Sequence, residues 1–370
     1  MIKIVHTGDL HIGLEFSRYP GISDRLKKER LDSLKTIVDR ANRENAHALV
    51  VAGDLFEKLS VPQKLVKEVR SILATFNGEV IIIPGNHDWY NKDADDNKVW
   101  DWFIDGAGAN IHFLYELKPF TCTLNEQELV FYPCGCHQKH SDTNRIGWIA
   151  NEELNKETIN IGLAHGNVDG YGLDEEGNYF GMSIEELRNA GMLTWLLGHI
   201  HAPYPVTETA GQELFFFSGN HCADSWRSER PGGCWLMEIS DDRKVKATRW
   251  QHQGIIFKDR QYTVNNLTDV EACLQEIRSF DAGNTVLRVK FNGALPEQEV
   301  EPVKKELEVI LQQFLYQELR WEVKLHITPE LIDKLYVKGS IGHGLQTKLA
   351  AADDKLGMQL AYDLIKNLQP

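Results

Sequence analysis

Residues 1–13 (MIKIVHTGDLHIG) join a short apolar run to a polar segment that contains Asp9 and His11. The apolar run, residues 2–6, is rich in β-branched side chains, which is typical of a β-strand. Gly8 allows the backbone to turn sharply after the strand and to approach a ligand closely. The segment therefore predicts a strand whose end presents a carboxylate and an imidazole to a binding site.

The same arrangement recurs four times along the chain. Further apolar runs are followed by Gly53-Asp54, Gly85-Asn86-His87-Asp88, His165-Gly166 and Gly198-His199-Ile200-His201. Apolar residues at helical spacing separate the first three runs, and this β-α-β-α-β order favours a layered α/β sheet with right-handed crossovers. Ligands bind at the carboxyl ends of the strands in such sheets, so the five polar segments are expected to meet at one edge.

The five segments together offer carboxylates, one carboxamide and five imidazoles. This mixture of nitrogen and oxygen donors suits manganese, iron or zinc, and the lack of a thiolate argues against a structural zinc. Two ions about 3.5–4 Å apart can clamp both the attacking and the leaving oxygen of a phosphoryl displacement. Any one segment alone is better explained as a turn or a surface histidine, but five in this order, each after a strand, indicate a two-metal site.

The order of these motifs resembles the calcineurin-like metallophosphoesterase superfamily. Residues 6–13, 50–57 (VVAGDLFE) and 82–88 (IIPGNHD) are most similar to the nuclease subunits of SbcCD-type DNA repair complexes, which include SbcD-like and YhaO-like exonucleases. The resemblance implies an α/β fold with a layered β-sandwich core flanked by helices, a smaller α+β capping domain and a helical C-terminal tail. It covers about residues 1–253 and is faint in the last forty residues.

The resemblance also implies a role for each motif residue. The implied ligands of one ion, here called the first site, are Asp9, His11, Asp54 and His201. The implied ligands of the other ion, the second site, are Asp54, Asn86, His165 and His199. Asp54 thus bridges two divalent ions, for which manganese is the expected metal. His87 is the implied catalytic histidine, and Asp88 is expected to orient a ring beside it.

The pattern of elements changes near residues 253–261. We expect a nuclease domain over residues 1–253, an α+β capping domain over 261–329 and a helical tail over 330–370, with a break at 339–344. An apolar stripe in the tail is expected either to dock on a partner or to pack on its own domain; its members are Leu349, Leu356, Leu360, Ile365 and Leu368. The partners that the resemblance implies are DNA, an SMC-like (SbcC-like) ATPase subunit and a second copy of the chain.

Composition limits the functions that remain. The 40 basic and 54 acidic residues give a net charge of −14, which argues against a broad basic surface for nucleic acid, although bound metal ions can supply positive charge. No apolar run approaches the roughly 20 residues of a membrane span, and the N-terminus lacks signal-peptide features. Six cysteines in 370 residues do not suggest a disulfide scaffold. A cytoplasmic protein without membrane contact is expected.

Two clusters leave alternatives open. Residues 218–235 depart from the family pattern, which usually has a Gly-Ser turn, a basic residue and a strand here. In this segment the additional potential ligands or nucleic-acid contacts are His221, Cys222, Trp226, Arg227 and Arg230. A loop of the core is the simpler interpretation. Cys134 and Cys136 with two nearby histidines resemble a metal knuckle but lack its usual spacing.

Three functions are compatible with these features. The leading one is a metal-dependent DNA nuclease that hydrolyses phosphodiester bonds in double-strand break repair, together with an SMC-like ATPase. The alternative is a metallophosphoesterase for small nucleotide or lipid phosphodiesters, which the acidic charge favours and the extra domain disfavours. A binding scaffold without catalysis is disfavoured because no ligand position is substituted and His87 is present.

Overall fold

The computed structural model describes residues 1–94, 97–171, 178–226, 231–352 and 354–368, with side chains as far as residue 365. The chain divides into two compact units, Met1–Phe257 and Lys258–Pro370. The helices that follow residue 329 therefore belong to the same unit as the α+β segment that precedes them. Within the described ranges, no helix combines the length and the apolar character that crossing a membrane requires.

A seven-stranded mixed sheet forms one layer of the first unit, in the order β4-β3-β2-β1-β11-β12-β9. Its strands are β1 (Ile2–Thr7), β2 (Ala48–Ala52), β3 (Glu79–Ile83), β4 (Ile111–Phe113), β9 (Thr209–Ala210), β11 (Gly233–Ile239) and β12 (Val245–Gln251). Strands β1 to β4 are parallel neighbours, while β11 pairs with β1 in the antiparallel sense. The carboxyl ends of four consecutive strands therefore lie at one edge.

A five-stranded sheet forms the second layer, in the order β10-β8-β7-β6-β5. Its strands are β5 (Phe120–Leu124), β6 (Gln127–Cys134), β7 (Ile159–His165), β8 (Thr194–Gly198) and β10 (Phe215–Phe217). Side chains from both sheets, such as Val50, Leu163 and Trp235, meet in one buried apolar layer. This layer confirms the predicted β-sandwich.

Helices cover the outer face of each sheet. The helices of the first unit are α1 (Ser23–Arg43), α2 (Gln63–Leu73), α3 (Lys98–Ile104) and α4 (Ile184–Asn189), with a 3₁₀ helix at Ile146–Asn151. Successive side chains of a strand point to opposite faces of the sheet. Leu49 and Val51 therefore contact the layer of helices α1–α3, whereas Val50 faces the other sheet. Helix α4 begins at a capping box, in which the Ser183 side chain accepts the Glu186 backbone N–H at 3.1 Å. The predicted α/β fold with flanking helices is confirmed.

The second unit has its own apolar core, to which β13–β15 and helices α5 and α6 contribute. Its elements are β13 (Ile256–Val264), α5 (Leu267–Arg278), a 3₁₀ helix (Ala282–Asn284), β14 (Thr285–Leu295), α6 (Glu297–Leu311), β15 (Tyr316–Trp321), β16 (Lys324–Leu325), α7 (Pro329–Leu335), α8 (Ile341–Ala351) and α9 (Lys355–Leu368). Two short strands, β15 and β16, both pair with β14 in the parallel sense.

The break expected at residues 339–344 begins and ends a few residues earlier, at residues 336–340. Helix α7 ends at Leu335 and α8 begins at Ile341, so Gly342 and Gly344 are helical. The Ser340 side chain accepts the backbone N–H of His343 at 3.2 Å. This N-cap starts the helix and outweighs the low helix propensity of the two glycines.

The predicted apolar stripe of the tail mixes two faces of helix α9. Leu356, Leu360 and Leu364 are exposed by 71%, 58% and 62%, whereas Met358 and Ala361 are buried. The buried Gln346 of α8 donates to the Met358 carbonyl at 2.9 Å, which fixes α8 against α9. The exposed leucines recur every four residues and lie on one helix face. Leu349 and Ile365 are half-buried, and the side chain of Leu368 is outside the described residues.

Acid is expected to destabilise the fold through His6 of β1. Burial, helped by the charge of Arg249, lowers the pKa of His6 from 6.5 to about 3. Between these two values the unfolded chain binds a proton that the folded chain excludes, so stability falls as pH drops, by up to about 1.4 kcal/mol per pH unit. We expect the urea midpoint of His6→Gln to depend less steeply on pH between 6.5 and 4 than that of the wild type. His140→Gln, at an exposed position, serves as the control. Equal slopes for all three proteins would refute the assignment.

Candidate metal centre

The five predicted polar segments follow β1, β2, β3, β7 and β8. Backbone hydrogen bonds join the loops that follow β1 and β2. Asp9 N–H donates to the Gly53 carbonyl at 3.2 Å, and His11 N–H donates to the Asp54 carbonyl at 2.9 Å. The structure therefore brings all five segments to one edge of the sandwich.

Unusual backbone geometry is concentrated at this edge. Asp9, His11, Asp54 and His199 have φ values of 52°, 44°, 51° and 96°. Such left-handed conformations cost of order 1–3 kcal/mol at non-glycine residues and persist where the surroundings enforce them. Glycine is also required here: a Cβ atom on Gly53 would lie 2.3 Å from His165 Nδ1. The close packing of these polar groups therefore comes with backbone strain in the loops that carry them.

The donors of the first site face one another. His11 Nε2 and His201 Nε2 are 3.1 Å apart, and each lies within 4.8 Å of a carboxylate oxygen of Asp9. Asp9 Oδ1 accepts the backbone N–H of His199 at 2.8 Å. Asp9 Oδ2 is buried and has no hydrogen-bond partner among the described residues. An unpartnered carboxylate oxygen beside two imidazole nitrogens fits a divalent cation.

The donors of the second site share an oxygen with the first. Asp54 Oδ2 lies 3.3 Å from His165 Nε2 and 3.6 Å from His11 Nε2, so it stands between the two groups. Asn86 Oδ1 lies 2.9 Å from His165 Nε2 and 3.1 Å from His199 Nδ1. These distances place all the predicted ligands around Asp54.

The electrostatics of the centre favour positive charge. Burial raises the pKa of Asp54, but the adjacent His165 and His11 outweigh burial and hold this pKa well below its usual range. Burial lowers the pKa of His165, yet the Asp54 carboxylate raises it to about 9. Without a metal ion, a proton on His165 therefore offsets the charge of the Asp54 carboxylate.

His87 and Asp88 stand beside the donors in different ways. His87 is partly exposed, its backbone N–H donates to Asp54 Oδ1 at 2.8 Å, and its Nδ1 lies 3.1 Å from the Glu57 carbonyl. Asp88 was expected to orient a ring, but its carboxylate oxygens accept the backbone N–H groups of Gly85 and Phe56 at 2.8 and 2.9 Å. Burial, and then the charge of Asp54, raise the pKa of Asp88 to about 7. Asp88 therefore ties together the loops that carry Asn86 and Asp54.

Sequence reasoning missed two carboxylates near the centre, Glu57 and Asp224. Glu57 Oε2 lies 2.9 Å from His11 Nδ1, and Asp224 Oδ2 lies 3.6 Å from His201 Nδ1. Glu57 follows Asp54 by only three residues, and this short spacing was the sequence signal that could have placed Glu57 near the centre. Asp224 approaches the centre only through tertiary structure.

The departing segment 218–235 joins the core through its described residues. His221 is buried, and its Nε2 lies 2.9 Å from the Arg30 carbonyl. Trp226 packs edge-to-face on Tyr19. Within the described ranges, the groups of residues suited to an ion do not include His221, Cys222, Cys134 or Cys136. These contacts favour the core-loop interpretation, while Arg227 and Arg230 lie outside the described residues.

Residues 2–203, more than half of the chain, match the calcineurin-like phosphoesterase family. The chain belongs to this family. It is 22% identical over 347 residues to the uncharacterized metallophosphoesterase YhaO of Bacillus subtilis, covering 87% of this chain and 79% of the relative. It is 32% identical over 95 residues to the DNA double-strand break repair protein Mre11 of Archaeoglobus fulgidus, covering 25% of this chain and 20% of that protein. A dimetal phosphatase from Danio rerio aligns with a TM-score of 0.42 and 13% identity, covering 67% of this chain and 96% of that one.

Membership of the calcineurin-like phosphoesterase family makes the chain a metal-dependent hydrolase of phosphoester bonds. The grouped donors around Asp9, Asp54 and the site histidines fit two divalent ions. When bound, such ions neutralise the charge that develops on a phosphoryl group and polarise its oxygens. Asp9, Asp54 and the site histidines would hold these ions, while the Asp54 carboxylate and the Glu57 carbonyl keep His87 at the rim.

Proposed function

We propose that the protein is a manganese-dependent DNA nuclease that hydrolyses phosphodiester bonds during double-strand break repair in the cytoplasm. The observation that carries this proposal is the convergence of all the predicted ligands on Asp54, with His87 held at the rim by the Asp54 carboxylate and the Glu57 carbonyl. The similarity of 95 residues to an archaeal DNA double-strand break repair protein supports DNA as the substrate.

His87 is suited to exchange a proton with the leaving oxygen. A backbone carbonyl only accepts hydrogen bonds, so Nδ1, which lies 3.1 Å from the Glu57 carbonyl, carries a proton. The second ring nitrogen, Nε2, is then the atom that gains or loses a proton. Proton transfer by a positioned histidine contributes about 10²–10⁴-fold to a rate. In the proposed reaction His87 acts as a general acid: the imidazolium donates its Nε2 proton to the leaving oxygen and becomes the neutral ring that keeps its proton on Nδ1.

The substrate class is tested by one parallel assay. End-labelled duplex DNA, end-labelled single-stranded DNA and a chromogenic phosphodiester are incubated with the full chain and manganese, and each reaction is repeated with EDTA. The proposal expects DNA cleavage that EDTA abolishes. Hydrolysis of the chromogenic compound without any DNA cleavage would instead support an esterase for small phosphodiesters.

The net charge of −14 supports that second candidate. A strongly acidic protein repels the phosphate backbone of DNA, whereas a small phosphodiester contacts only the centre itself. If the second candidate is correct, the rate on small nucleotide or lipid phosphodiesters exceeds the rate on DNA at every salt concentration.

We further propose that the nuclease acts as a homodimer and that its tail docks on an SMC-like ATPase subunit. The exposed face of α9, formed by Leu356, Leu360 and Leu364, has the spacing of a helix that inserts into an apolar groove. We expect the triple variant with serine at these three positions to keep its melting temperature and to lose retention of the ATPase in a pull-down.

Met358→Ala on the buried face of α9 is the matched control for this docking prediction. It removes a buried side chain, so it is expected to lower the stability of the second unit by about 2–5 kcal/mol. Undiminished ATPase binding by the triple-serine variant would disprove docking through this face. Sedimentation of the full chain tests the homodimer separately.

A further inference from the structure

We infer that Glu57 and Asp224 are positioning residues that hold His11 and His201 in the metal-binding tautomer, so that the first site binds its ion more tightly than the second. The inference rests on the proposed two-ion centre but not on the identity of the substrate. Each of the two carboxylates lies beside the outer nitrogen of one histidine of the first site.

Glu57 faces the side of His11 that turns away from the other donors. Its Oε2 lies 2.9 Å from His11 Nδ1, while His11 Nε2 faces His201 and Asp54. A carboxylate beside Nδ1 stabilises the tautomer that carries its proton there, which leaves the lone pair of Nε2 for a metal ion. The backbone carbonyl of Glu57 also holds His87, so Glu57 contacts both the buried His11 and His87 at the rim.

Asp224 lies on the corresponding side of His201 but beyond hydrogen-bond distance, where its negative charge favours the proton on His201 Nδ1. Its Oδ2 lies 3.6 Å from His201 Nδ1, accepts a hydrogen bond from Asn220 Nδ2 at 3.3 Å and lies 3.9 Å from Arg30 Nη1. The Arg30 guanidinium is 1% exposed and donates through Nε to the Leu10 carbonyl at 2.7 Å. Arg30 thus links Asp224 to the loop between Asp9 and His11, which gives the departing segment a role at the centre.

His165 of the second site is supported differently. His165 Nδ1 lies 2.8 Å from the Ala52 carbonyl, which is a neutral acceptor. A carboxylate makes the opposite ring nitrogen more basic than a carbonyl does, so it strengthens the bond from that nitrogen to a cation. Because the first site has a carboxylate behind both of its histidines, we expect it to be filled at the lower metal concentration.

The experiment is a titration of the full, metal-free chain with manganese. Binding is measured by calorimetry and by the electron paramagnetic resonance signal of the free ion. Two binding steps are expected for the wild type. His201→Ala should remove the tighter step and His165→Ala the weaker one, which assigns each step to a site. Glu57→Gln and Asp224→Asn are expected to weaken the tighter step about 10- to 100-fold and to change the weaker step far less.

Glu29→Gln is the matched control, because Glu29 Oε1 lies 2.6 Å from His252 Nε2 in a carboxylate–histidine pair outside the centre. It should change neither step. Melting temperatures of the metal-free variants show whether each one is folded. An unchanged tighter step in both Glu57→Gln and Asp224→Asn, or an equal loss in Glu29→Gln, would overturn the inference.

The same titration separates this inference from the proposed function. A wild-type chain that binds two ions as inferred, with the variants weakened, and yet cleaves no DNA would remove the nuclease proposal and leave the positioning roles intact. If the chain cleaves DNA and neither substitution affects the tighter binding step, the positioning roles are wrong and the nuclease proposal remains. A wild-type chain that binds no ion would overturn both.

Discussion

Replacing Asp54 with asparagine is expected to abolish phosphoester hydrolysis and to leave fewer than two ions per chain. Asp54 Oδ2 lies 3.3 Å from His165 Nε2 and 3.6 Å from His11 Nε2, so it lies between donors of the two predicted sites. An amide has nearly the same size but lacks the charge that offsets two cations and the buried imidazoles. Loss of a single well-placed electrostatic group costs about 10²–10³-fold in kcat, and a shared ligand should cost at least as much.

Metal content by elemental analysis and kcat on a phosphodiester are the two measurements for Asp54→Asn. Asp39→Asn is the matched control, because Asp39 pairs with Lys35 on the exposed face of α1. The control should retain both ions and full activity. The melting temperature of metal-free Asp54→Asn checks that the fold persists. Two retained ions with normal turnover would show that Asp54 does not bridge the sites.

The sandwich and its binding edge were predictable because local sequence and tertiary structure agree there. Apolar runs that end in glycine and a polar residue define both the strand and the loop, and the parallel order of β1, β2 and β3 brings their ends together. The φ of 51° at Asp54 and the close approach of Gly53 to His165 explain why these loops need glycine next to a strained residue.

Other features depend on contacts between distant residues and have no local signal. Asp224 reaches His201 only because residues 218–226 fold back against Arg30 of α1. In the tail, hydrophobic spacing alone did not separate the buried face of α9, which includes Met358, from the exposed face, which includes Leu360. The hydrogen bond from Gln346 of α8 to the Met358 carbonyl fixes which face of α9 is buried.

The proton-transfer role of His87 leads to a second large effect. His87→Ala is expected to keep both ions and DNA binding while kcat falls by about 10²-fold or more. The backbone N–H of residue 87 donates to Asp54 Oδ1, and this hydrogen bond survives the substitution. The side chain itself contacts the Glu57 carbonyl and packs edge-to-face on His11, at 4.7 Å between ring centroids.

One geometric alternative makes the metal count decisive for His87→Ala. His87, His11 and Glu57 place donor atoms within 4.8 Å of one another, so this trio also has the spacing of an ion site. If His87 is a ligand, its loss lowers the number of bound ions; if it is the general acid, the count stays at two and only kcat falls. His112→Ala, which removes a histidine of β4 that pairs with Glu79 of β3, is the control and should change neither quantity. Because metal content and kcat are measured on the same preparation, a fall in both assigns His87 to the metal sites, and a fall in kcat alone assigns it to proton transfer.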